Sequence, residues 1–330
     1  AQKKAAENGR RESNWDFGTN PCSEIILRPN QFCNLTEIVV RAGDTVNTLT
    51  RKIKVATLLG TIQSTFTNFG YLRKVWQDNT EEERLLGVSL TGIMDSELLN
   101  GKESGLAKTL ETLKKVAVEC NKEYAEKFNI NQSTAITCVK PSGTVSQLVD
   151  SASGIHARHN PYYIRTVRGD NKDPLTEFLK ASGIPSEPDV MKPDHTTVFS
   201  FPMMAPKGSV CRTDMTAIQQ LEIWKTYAKH WCEHKPSVTI SVKEEEWVPV
   251  GAWCWENFEY LSGVSFLPFS DHTYQQAPYQ DIDEDTYKKL VKAMPKEIDW
   301  KNLQDFEKED NTKGSQELAC TAGVCELVDI

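Results

Sequence analysis

NPCSEIILRPNQFCNL, residues 20–35, carries two cysteines with ten residues between them and an isoleucine pair shortly after the first cysteine. The β-branched and aromatic content of this stretch predicts strands, and Arg28-Pro29-Asn30 predicts a turn that interrupts them. A loop carrying Cys22 is therefore expected to lead into a strand carrying Cys33.

The residues around Cys22 form the first candidate site. In an extended segment, side chains two residues apart point to the same side, so Asn20, Cys22 and Glu24 can face one cavity. A hydrogen-bond donor, a thiol and a carboxylate base would then converge. The alternative is a strand-entry turn with a buried cysteine and a surface glutamate.

Outside this stretch, strand-like and helix-like segments alternate along the chain. Apolar residues at helical spacing predict amphipathic helices, and short apolar or β-branched runs predict buried strands. The predicted helices cover 45–69, 104–128, a segment from 145, and 213–232, and the predicted strands cover 85–94, 134–139, 196–201 and 237–242. Buried strands separated by helices indicate an α/β fold.

Composition excludes several functional classes. A chain of 330 residues with 39% apolar and 25% charged residues can bury a large core. The net charge of −8 argues against a groove for nucleic acid, which needs a concentrated basic face. No run approaches the roughly 18 apolar residues of a membrane span, and the first residues lack the apolar stretch of a signal peptide. A cytoplasmic protein without a membrane partner is expected.

Nine cysteines, an odd number spread unevenly over a large chain, do not form a secreted disulfide framework. His230, Cys232 and His234 lie within five residues, but on a helix Cys232 would point away from the two histidines. No metal site is therefore expected there.

The second candidate site is the loop in VKPSGTVS, between a predicted strand and a predicted helix. Its glycine lets the backbone approach a ligand, while its hydroxyls and the first N–H groups of the helix can receive phosphate oxygens. The residues are Pro141, Ser142, Gly143, Thr144, Val145 and Ser146. The order of residues is not that of a Walker loop, and the alternative is an ordinary helix cap.

The third candidate site is CTAGVC, which places Cys320 and Cys325 close to the end of the chain. Zinc is the weaker interpretation, because no second pair of ligands lies near in the sequence. A dithiol on a swinging arm could instead reach an active site, take up a disulfide by exchange, and carry it to a reductant.

Together these motifs resemble the catalytic subunit of ribonucleotide reductases, most closely the C-terminal half of class II enzymes, which depend on adenosylcobalamin. NPCSEI resembles the finger-loop signature, FCNL the strand after it, VKPSGTVS the substrate-phosphate loop, and CTAGVC the reducing tail. The resemblance implies an α/β fold: the second half of a ten-stranded α/β barrel with a central finger loop, plus a flexible C-terminal tail.

The resemblance also implies a division of the chain into four parts. Residues 1–19 would be an N-terminal junction, 20–280 the finger loop and the C-terminal half of the barrel, 281–314 an acidic and lysine-rich peripheral segment, and 315–330 the redox-active tail. The chain is expected to lack the first half of the barrel and to be inactive without an N-terminal partner.

Roles are carried over by the matched motifs. Cys22 matches the cysteine that becomes a thiyl radical and abstracts the 3′ hydrogen of the ribose, and Glu24 matches the base that takes the 3′-hydroxyl proton. Asn20 matches the residue that hydrogen-bonds the substrate hydroxyls. Cys33 matches one of two thiols that supply electrons while the 2′-hydroxyl leaves as water.

Cys320 and Cys325 match the tail pair that re-reduces the active-site disulfide before a thioredoxin- or glutaredoxin-like protein regenerates it. Since no ordinary side chain can start such a radical, a cofactor must do so, and class II implies adenosylcobalamin. No Asp-x-His-x-x-Gly cobalamin-ligand motif occurs in the chain, which leaves the cofactor contacts unnamed. The ribonucleotide substrate could be a diphosphate or a triphosphate.

Two alternatives stand beside this interpretation. A class I large subunit would use a late pair of adjacent tyrosines as a radical relay; Tyr162-Tyr163 comes early, and VSFLPFSDHTYQQAPYQ at 264–280 has no such pair. A protein of another class would be a non-catalytic redox adaptor in which the terminal cysteines shuttle electrons. A simple nucleotide-binding module would leave the placed cysteines unexplained.

Overall fold

The structure, a computed structural model, describes residues 1–269 and 274–307. Contacts divide the described chain into two compact units. The first unit comprises residues 1–158 and 205–269, and the second comprises residues 159–204 and 274–307. The predicted boundaries at residues 19 and 280 are drawn from the motif resemblance and not from contacts, so they do not correspond to these two units and stay a prediction.

The strands of the described chain fall into both units. In chain order they are β1 (Gly18–Thr19), β2 (Ile26–Leu27), β3 (Asn34–Val39), β4 (Leu86–Thr91), β5 (Tyr162–Asp170), β6 (Ser186–Pro188), β7 (Thr196–Met204), β8 (Val238–Val242), β9 (Val264–Pro268) and β10 (Tyr279–Asp281).

The α-helices of the described chain connect and cover these strands. They are α1 (Gln2–Ala6), α2 (Val46–Gln63), α3 (Lys74–Glu83), α4 (Leu106–Phe128), α5 (Thr144–Leu148), α6 (Pro174–Ala181), α7 (Ala217–His230), α8 (Trp247–Glu256), α9 (Glu284–Ala293) and α10 (Leu303–Phe306). None of the described helices is long and apolar enough to cross a membrane.

Parallel strands run through the first unit. β3 pairs with β4 in parallel, and residues 134–139 follow β4 through a parallel bridge between Val88 and Thr137. A second bridge joins Val139 to Pro236 at the entry to β8, which pairs in parallel with β9. The spatial order is therefore β3, β4, 134–139, β8 and β9, and it confirms the predicted α/β fold class. Closure into a barrel is not part of what the described residues show.

Helices cover one side of these parallel strands. α2 packs on β3 and β4, α7 packs on β8, and α4 packs against both helices. Every residue of β4 is buried, as expected for a strand covered on both faces. The apolar stripes that predicted α2 and α4 face this core, with Leu49, Ile53, Ala56, Leu110, Leu113 and Ala117 among its buried members.

Element boundaries differ from the predictions where local chemistry intervenes. α2 begins after Thr45, whose hydroxyl accepts from the Thr48 N–H in a capping box, but it ends at Gln63 rather than near residue 69. The segment 134–139 makes single bridges instead of a continuous strand. The helix predicted from residue 145 is the five-residue α5.

The second unit is an antiparallel sheet in the order β10, β5, β7 and β6. β7 matches the strand predicted at 196–201, but it belongs to this sheet rather than to the parallel alternation. On α6, Phe178 is buried and its ring contacts those of Trp300 and Phe306. The predicted peripheral segment 281–314 contributes α9 and α10, and the predicted flexible tail lies outside the described residues.

Candidate active site

A short hairpin presents Cys22. β1 and β2 pair antiparallel, so residues 20–25 form the loop between them. The Asn20 carbonyl accepts from the Ser23 N–H at 2.9 Å, and the Asn20 Oδ1 accepts from the Ile25 N–H at 3.0 Å. Ser23 adopts a left-handed conformation with φ of 64°. Asn20 thus closes the turn, and Cys22 lies exposed at its tip.

The conformation of this turn differs from the extended segment expected for the same residues. Alternation would point Asn20, Cys22 and Glu24 into one cavity, but the left-handed residue breaks the alternation. Cys22 is exposed, whereas Glu24 is buried with 2% of its surface accessible. The alternative of a buried cysteine and a surface glutamate is also wrong, because the burial is reversed.

Backbone and imidazole hydrogen bonds hold the hairpin on the parallel strands. The buried His234 accepts from the Ile26 N–H at Nδ1 (3.3 Å) and donates from Nε2 to the Leu86 carbonyl (3.0 Å). The next residue, Lys235, donates its N–H to the Glu24 carbonyl at 2.9 Å. Burial lowers the pKa of His234 to about 3, so the ring is neutral and can accept from Ile26.

A buried ion network fixes the base of the hairpin. Arg11 donates to both carboxylate oxygens of Glu83, at 2.9 and 2.8 Å, and to the Ile26 carbonyl at 2.9 Å. The Arg11 and Glu83 side chains are each 1% exposed. Gln31 donates to the same carboxylate at 2.6 Å, and Arg28 approaches it at 3.1 Å. Several donors hydrogen-bond to the Glu83 carboxylate, and together they offset the free-energy cost of burying its charge.

Glu24 lies within electrostatic reach of both predicted thiols. Although Cys22 is exposed, partial desolvation of its thiol raises the pKa of Cys22; Glu24 raises this pKa further, and Lys140 opposes both effects. Burial also raises the pKa of Cys33 far above its ordinary value, where Arg11 opposes and Glu24 adds to the effect. Oε2 of Glu24 is buried without a hydrogen-bond partner. The arrangement places two protonated thiols within electrostatic reach of a carboxylate oxygen that has no hydrogen-bond partner of its own.

Cys33 immediately precedes β3, one residue outside the strand on which it was expected. It is half-buried, and Asn34 after it begins the pairing with β4. Cys22, at the tip of the β1–β2 hairpin, and Cys33, directly before β3, therefore belong to consecutive elements of the first unit.

In the predicted phosphate loop, backbone carbonyls already accept hydrogen bonds from serine hydroxyls of the same segment. Ser146 donates to the Ser142 carbonyl and to the Gly143 carbonyl, the latter at 2.9 Å. Ser153 also donates to the Ser142 carbonyl, at 2.7 Å. Ser142 and Ser146 are fully buried, and the Ser142 hydroxyl has no partner among the described residues. The Ser146 hydroxyl thus shapes the loop, whereas Thr144 is exposed.

The two remaining predicted features lie elsewhere in the chain. Cys320 and Cys325 lie outside the described residues. His230 contacts Glu111 at 2.6 Å and ends α7, so Cys232 and His234, both buried, lie beyond the helix on which they were predicted to point apart. Sequence reasoning missed the role of His234 at the hairpin, since its partner Ile26 is 208 positions away.

Comparison with known proteins gives the geometry a context. No protein-family model matches the chain. Over 349 aligned residues the chain is 26% identical to the adenosylcobalamin-dependent ribonucleoside-triphosphate reductase of Lactobacillus delbrueckii subsp. bulgaricus, and the match covers 94% of the chain and 45% of that protein. A probable reductase of the same name from Dictyostelium discoideum is 29% identical over 329 residues, covering 94% of the chain and 40% of that protein.

A solved structure agrees in fold. The crystal structure of a B12-dependent (class II) ribonucleotide reductase superposes with a TM-score of 0.76 and 24% identity, over 89% of the chain and 44% of that structure. The chain is a homologue of these reductases. The predicted resemblance to class II ribonucleotide reductases is thereby confirmed. This reductase homologue spans less than half the length of the curated relatives that it matches.

Proposed function

We propose that the chain is the C-terminal half of an adenosylcobalamin-dependent ribonucleotide reductase. The complete enzyme would reduce ribonucleoside di- or triphosphates to 2′-deoxyribonucleotides for DNA synthesis. One observation supports this most directly: Cys22 is exposed at a hairpin tip, and the buried Glu24, whose Oε2 has no hydrogen-bond partner, lies in electrostatic reach of both Cys22 and Cys33.

Each residue then has a defined task. Having lost its hydrogen atom, the Cys22 sulfur takes the 3′ hydrogen of the ribose, which re-forms the S–H bond and leaves a radical on the sugar. Glu24 accepts the proton of the 3′-hydroxyl. Cys33 and a second thiol supply two electrons and two protons as the 2′-hydroxyl leaves as water, and they end as a disulfide. Cys22 then returns a hydrogen atom to C3′ and Glu24 returns its proton to the 3′ oxygen, which removes the radical from the sugar. Asn20 is proposed to hydrogen-bond the substrate hydroxyls, while its own Oδ1 closes the turn.

The state of Cys22 fits a radical-forming cofactor. Its raised pKa keeps the sulfur protonated near neutral pH, and its exposure leaves the hydrogen atom accessible. Adenosylcobalamin, when bound, supplies the radical that removes this hydrogen atom. We assign no described residue to the corrin ring, whose contacts would lie partly on the other half of the enzyme.

The remaining parts of the proposal concern binding and partners. The substrate phosphates would contact the loop 141–146, where the hydroxyl of the exposed Thr144 offers a donor. The five parallel segments of the first unit would form half of a ten-stranded barrel, completed by an N-terminal half. Cys320 and Cys325 would return electrons from a thioredoxin- or glutaredoxin-like protein to the active site.

The competing functions are less well supported. The curated relatives that match are named for adenosylcobalamin, which does not favour a class I subunit with a separate radical-generating protein. A redox adaptor would need only the terminal cysteines, so it does not account for the buried Glu24 within electrostatic reach of Cys22 and Cys33.

Reconstitution tests the proposed function. The chain would be mixed with the N-terminal half of the enzyme, and deoxynucleotide formation measured with a dithiol reductant, with and without adenosylcobalamin. Product that depends strictly on the cobalamin is expected. Product that instead requires a separate metal-containing radical subunit would overturn the class II assignment, and dithiol exchange without any product would favour the adaptor.

A further inference from the structure

A half-buried histidine lies between β8 and the segment that follows the predicted phosphate loop. The His156 Nε2 accepts from the Thr239 N–H at 2.9 Å, and its Nδ1 lies 2.9 Å from the Ser153 carbonyl oxygen. Since a backbone amide can only donate, Nε2 carries no proton, and the neutral ring has its proton on Nδ1. One tautomer therefore satisfies both contacts, and in it Nδ1 donates to Ser153.

The imidazole takes the place of a backbone acceptor at the edge of β8. Two residues earlier, the Ser237 N–H donates to the Val139 carbonyl at 2.9 Å. The Thr239 N–H points to the same side, because backbone amides two residues apart in an extended chain share a side. The chain after Val139 enters the predicted phosphate loop, and at Thr239 the ring of His156 supplies the acceptor instead.

Ser153 joins this ring to the predicted phosphate loop. Its hydroxyl donates to the Ser142 carbonyl at 2.7 Å, and its carbonyl accepts from both the ring and the backbone N–H of His156. The turn at residues 153–156 is thus closed by its own backbone, and what the ring adds is the bond to β8. Hydrogen bonds therefore run without a gap from the Thr239 backbone through His156 and Ser153 to the loop.

The end of β4 holds the same segment through separate contacts. The Gly92 N–H donates to the Ala152 carbonyl at 2.7 Å, and the Gly154 N–H donates to the Thr91 hydroxyl at 2.9 Å. Gly154 also packs closely on the start of the loop, since an added Cβ would be 2.8 Å from the Lys140 carbonyl oxygen. β4 thus anchors the first part of this segment, whereas the imidazole ties its last residue to a second strand.

We propose that His156 is a positioning residue for substrate binding: through Ser153 it ties the loop at residues 141–146 to β8 and holds this loop ready for the phosphate groups of a ribonucleotide. The proposal rests on this loop being the phosphate site of the proposed function. A loop that is already ordered binds its ligand without the loss of affinity that ordering causes. Partial burial lowers the pKa of His156, which keeps the ring neutral near neutral pH and leaves Nε2 able to accept.

Two amide variants in the reconstituted enzyme test this role. The glutamine side chain can place its oxygen near the position of Nε2 and accept from the Thr239 N–H, whereas the shorter asparagine ends near the position of Nδ1. His156→Asn is thus expected to keep the contact with Ser153 and to lose the bond to β8. KM and kcat for nucleotide reduction would be measured for each variant with adenosylcobalamin and dithiol in excess.

We expect His156→Asn to raise the KM for the ribonucleotide about tenfold, because one unmade buried hydrogen bond shifts an equilibrium by roughly that factor. The kcat should stay within about twofold of the wild type, since the phosphate contacts are the same in the bound substrate and in the transition state. His156→Gln should restore the KM to within about twofold of the wild type. The matched control, His230→Asn, removes a ring that contacts Glu111 at the end of α7 and should leave the KM unchanged.

Amide hydrogen exchange in the chain alone measures the tether without substrate or cofactor. The Thr239 amide and peptides from residues 141–154 should exchange at least about threefold faster in His156→Asn than in the wild type. His156→Gln and His230→Asn should exchange at the wild-type rate in these peptides.

A KM for His156→Asn equal to that of the wild type would overturn the proposal even if exchange is faster, as would equally raised KM values in the asparagine and glutamine variants. If His156→Asn does not fold, Ser153→Ala decides: it removes the hydroxyl that bonds Ser142, and an unchanged KM would count against the proposal. Absence of product from the wild-type enzyme would instead refute the proposed function, and exchange in the chain alone would still show whether His156 holds the loop.

Discussion

Replacing His234 should remove a specific part of the pH dependence of stability. In the folded chain, burial lowers the pKa of His234 to about 3, whereas the pKa of an unfolded histidine is about 6.5. Between these values the unfolded state binds one proton more than the folded state. Stability is therefore fully present above the unfolded pKa and is lost as the pH falls toward the folded pKa.

The magnitude follows from the linkage of one proton, about 1.4 kcal/mol for each pH unit. Between pH 7.5 and pH 5, His234 should therefore cost the folded state about 2 kcal/mol. His234→Gln abolishes this contribution, because glutamine does not titrate and its amide can still accept from the Ile26 N–H and donate to the Leu86 carbonyl.

Urea unfolding followed by tryptophan fluorescence at pH 7.5 and pH 5 provides the assay. The wild type should lose about 2 kcal/mol more than His234→Gln over this interval. His234→Leu, which removes both hydrogen bonds, should be less stable at pH 7.5 but show the same shallow pH dependence as glutamine. Equal pH dependence in the wild type and His234→Gln would refute the assignment of a buried, neutral histidine.

Two further predictions concern stability. Glu83→Gln leaves the buried Arg11 guanidinium without its opposite charge and should reduce the free energy of unfolding by roughly 3–5 kcal/mol, measured by urea unfolding; a loss below about 1 kcal/mol would contradict the buried network. Gly92→Ala places a Cβ 2.4 Å from the Val40 carbonyl oxygen at a φ of 79°, and should cost about 2 kcal/mol or more. Gly43→Ala is its matched control, since nothing lies within 4 Å of the added Cβ, and equal melting temperatures for both alanine variants would show that the backbone at Gly92 is not constrained in this way.

The parts of the fold that the sequence predicted are those governed by local pattern. α2 and α4 follow from apolar stripes at helical spacing, and β4 follows from a short apolar run that is buried at every position. The second unit was not predicted, because β5 and β7 are antiparallel partners separated by a helix and a short strand. Nothing in the sequence of β7 distinguishes antiparallel pairing from the parallel pairing of the first unit.

The candidate site shows the same limit. Its cysteines and its carboxylate could be named from NPCSEI and FCNL, but their orientation depends on one left-handed residue, Ser23, which simple alternation does not include. The groups that hold the hairpin come from distant positions: His234 bonds Ile26 across 208 residues, and Arg11 bonds Glu83 across 72. Such contacts arise from tertiary packing, so no local spacing in the sequence indicates them.

The most direct test of the central claim is the deoxynucleotide yield of the reconstituted enzyme carrying Cys22→Ser, measured in a single turnover with adenosylcobalamin and excess dithiol. Cys254→Ser, which changes a half-buried cysteine of α8, serves as the control. We expect no detectable product from Cys22→Ser and a wild-type yield from Cys254→Ser. Product from the Cys22→Ser enzyme would show that the hydrogen atom is abstracted by another group, and it would contradict the role proposed for Cys22.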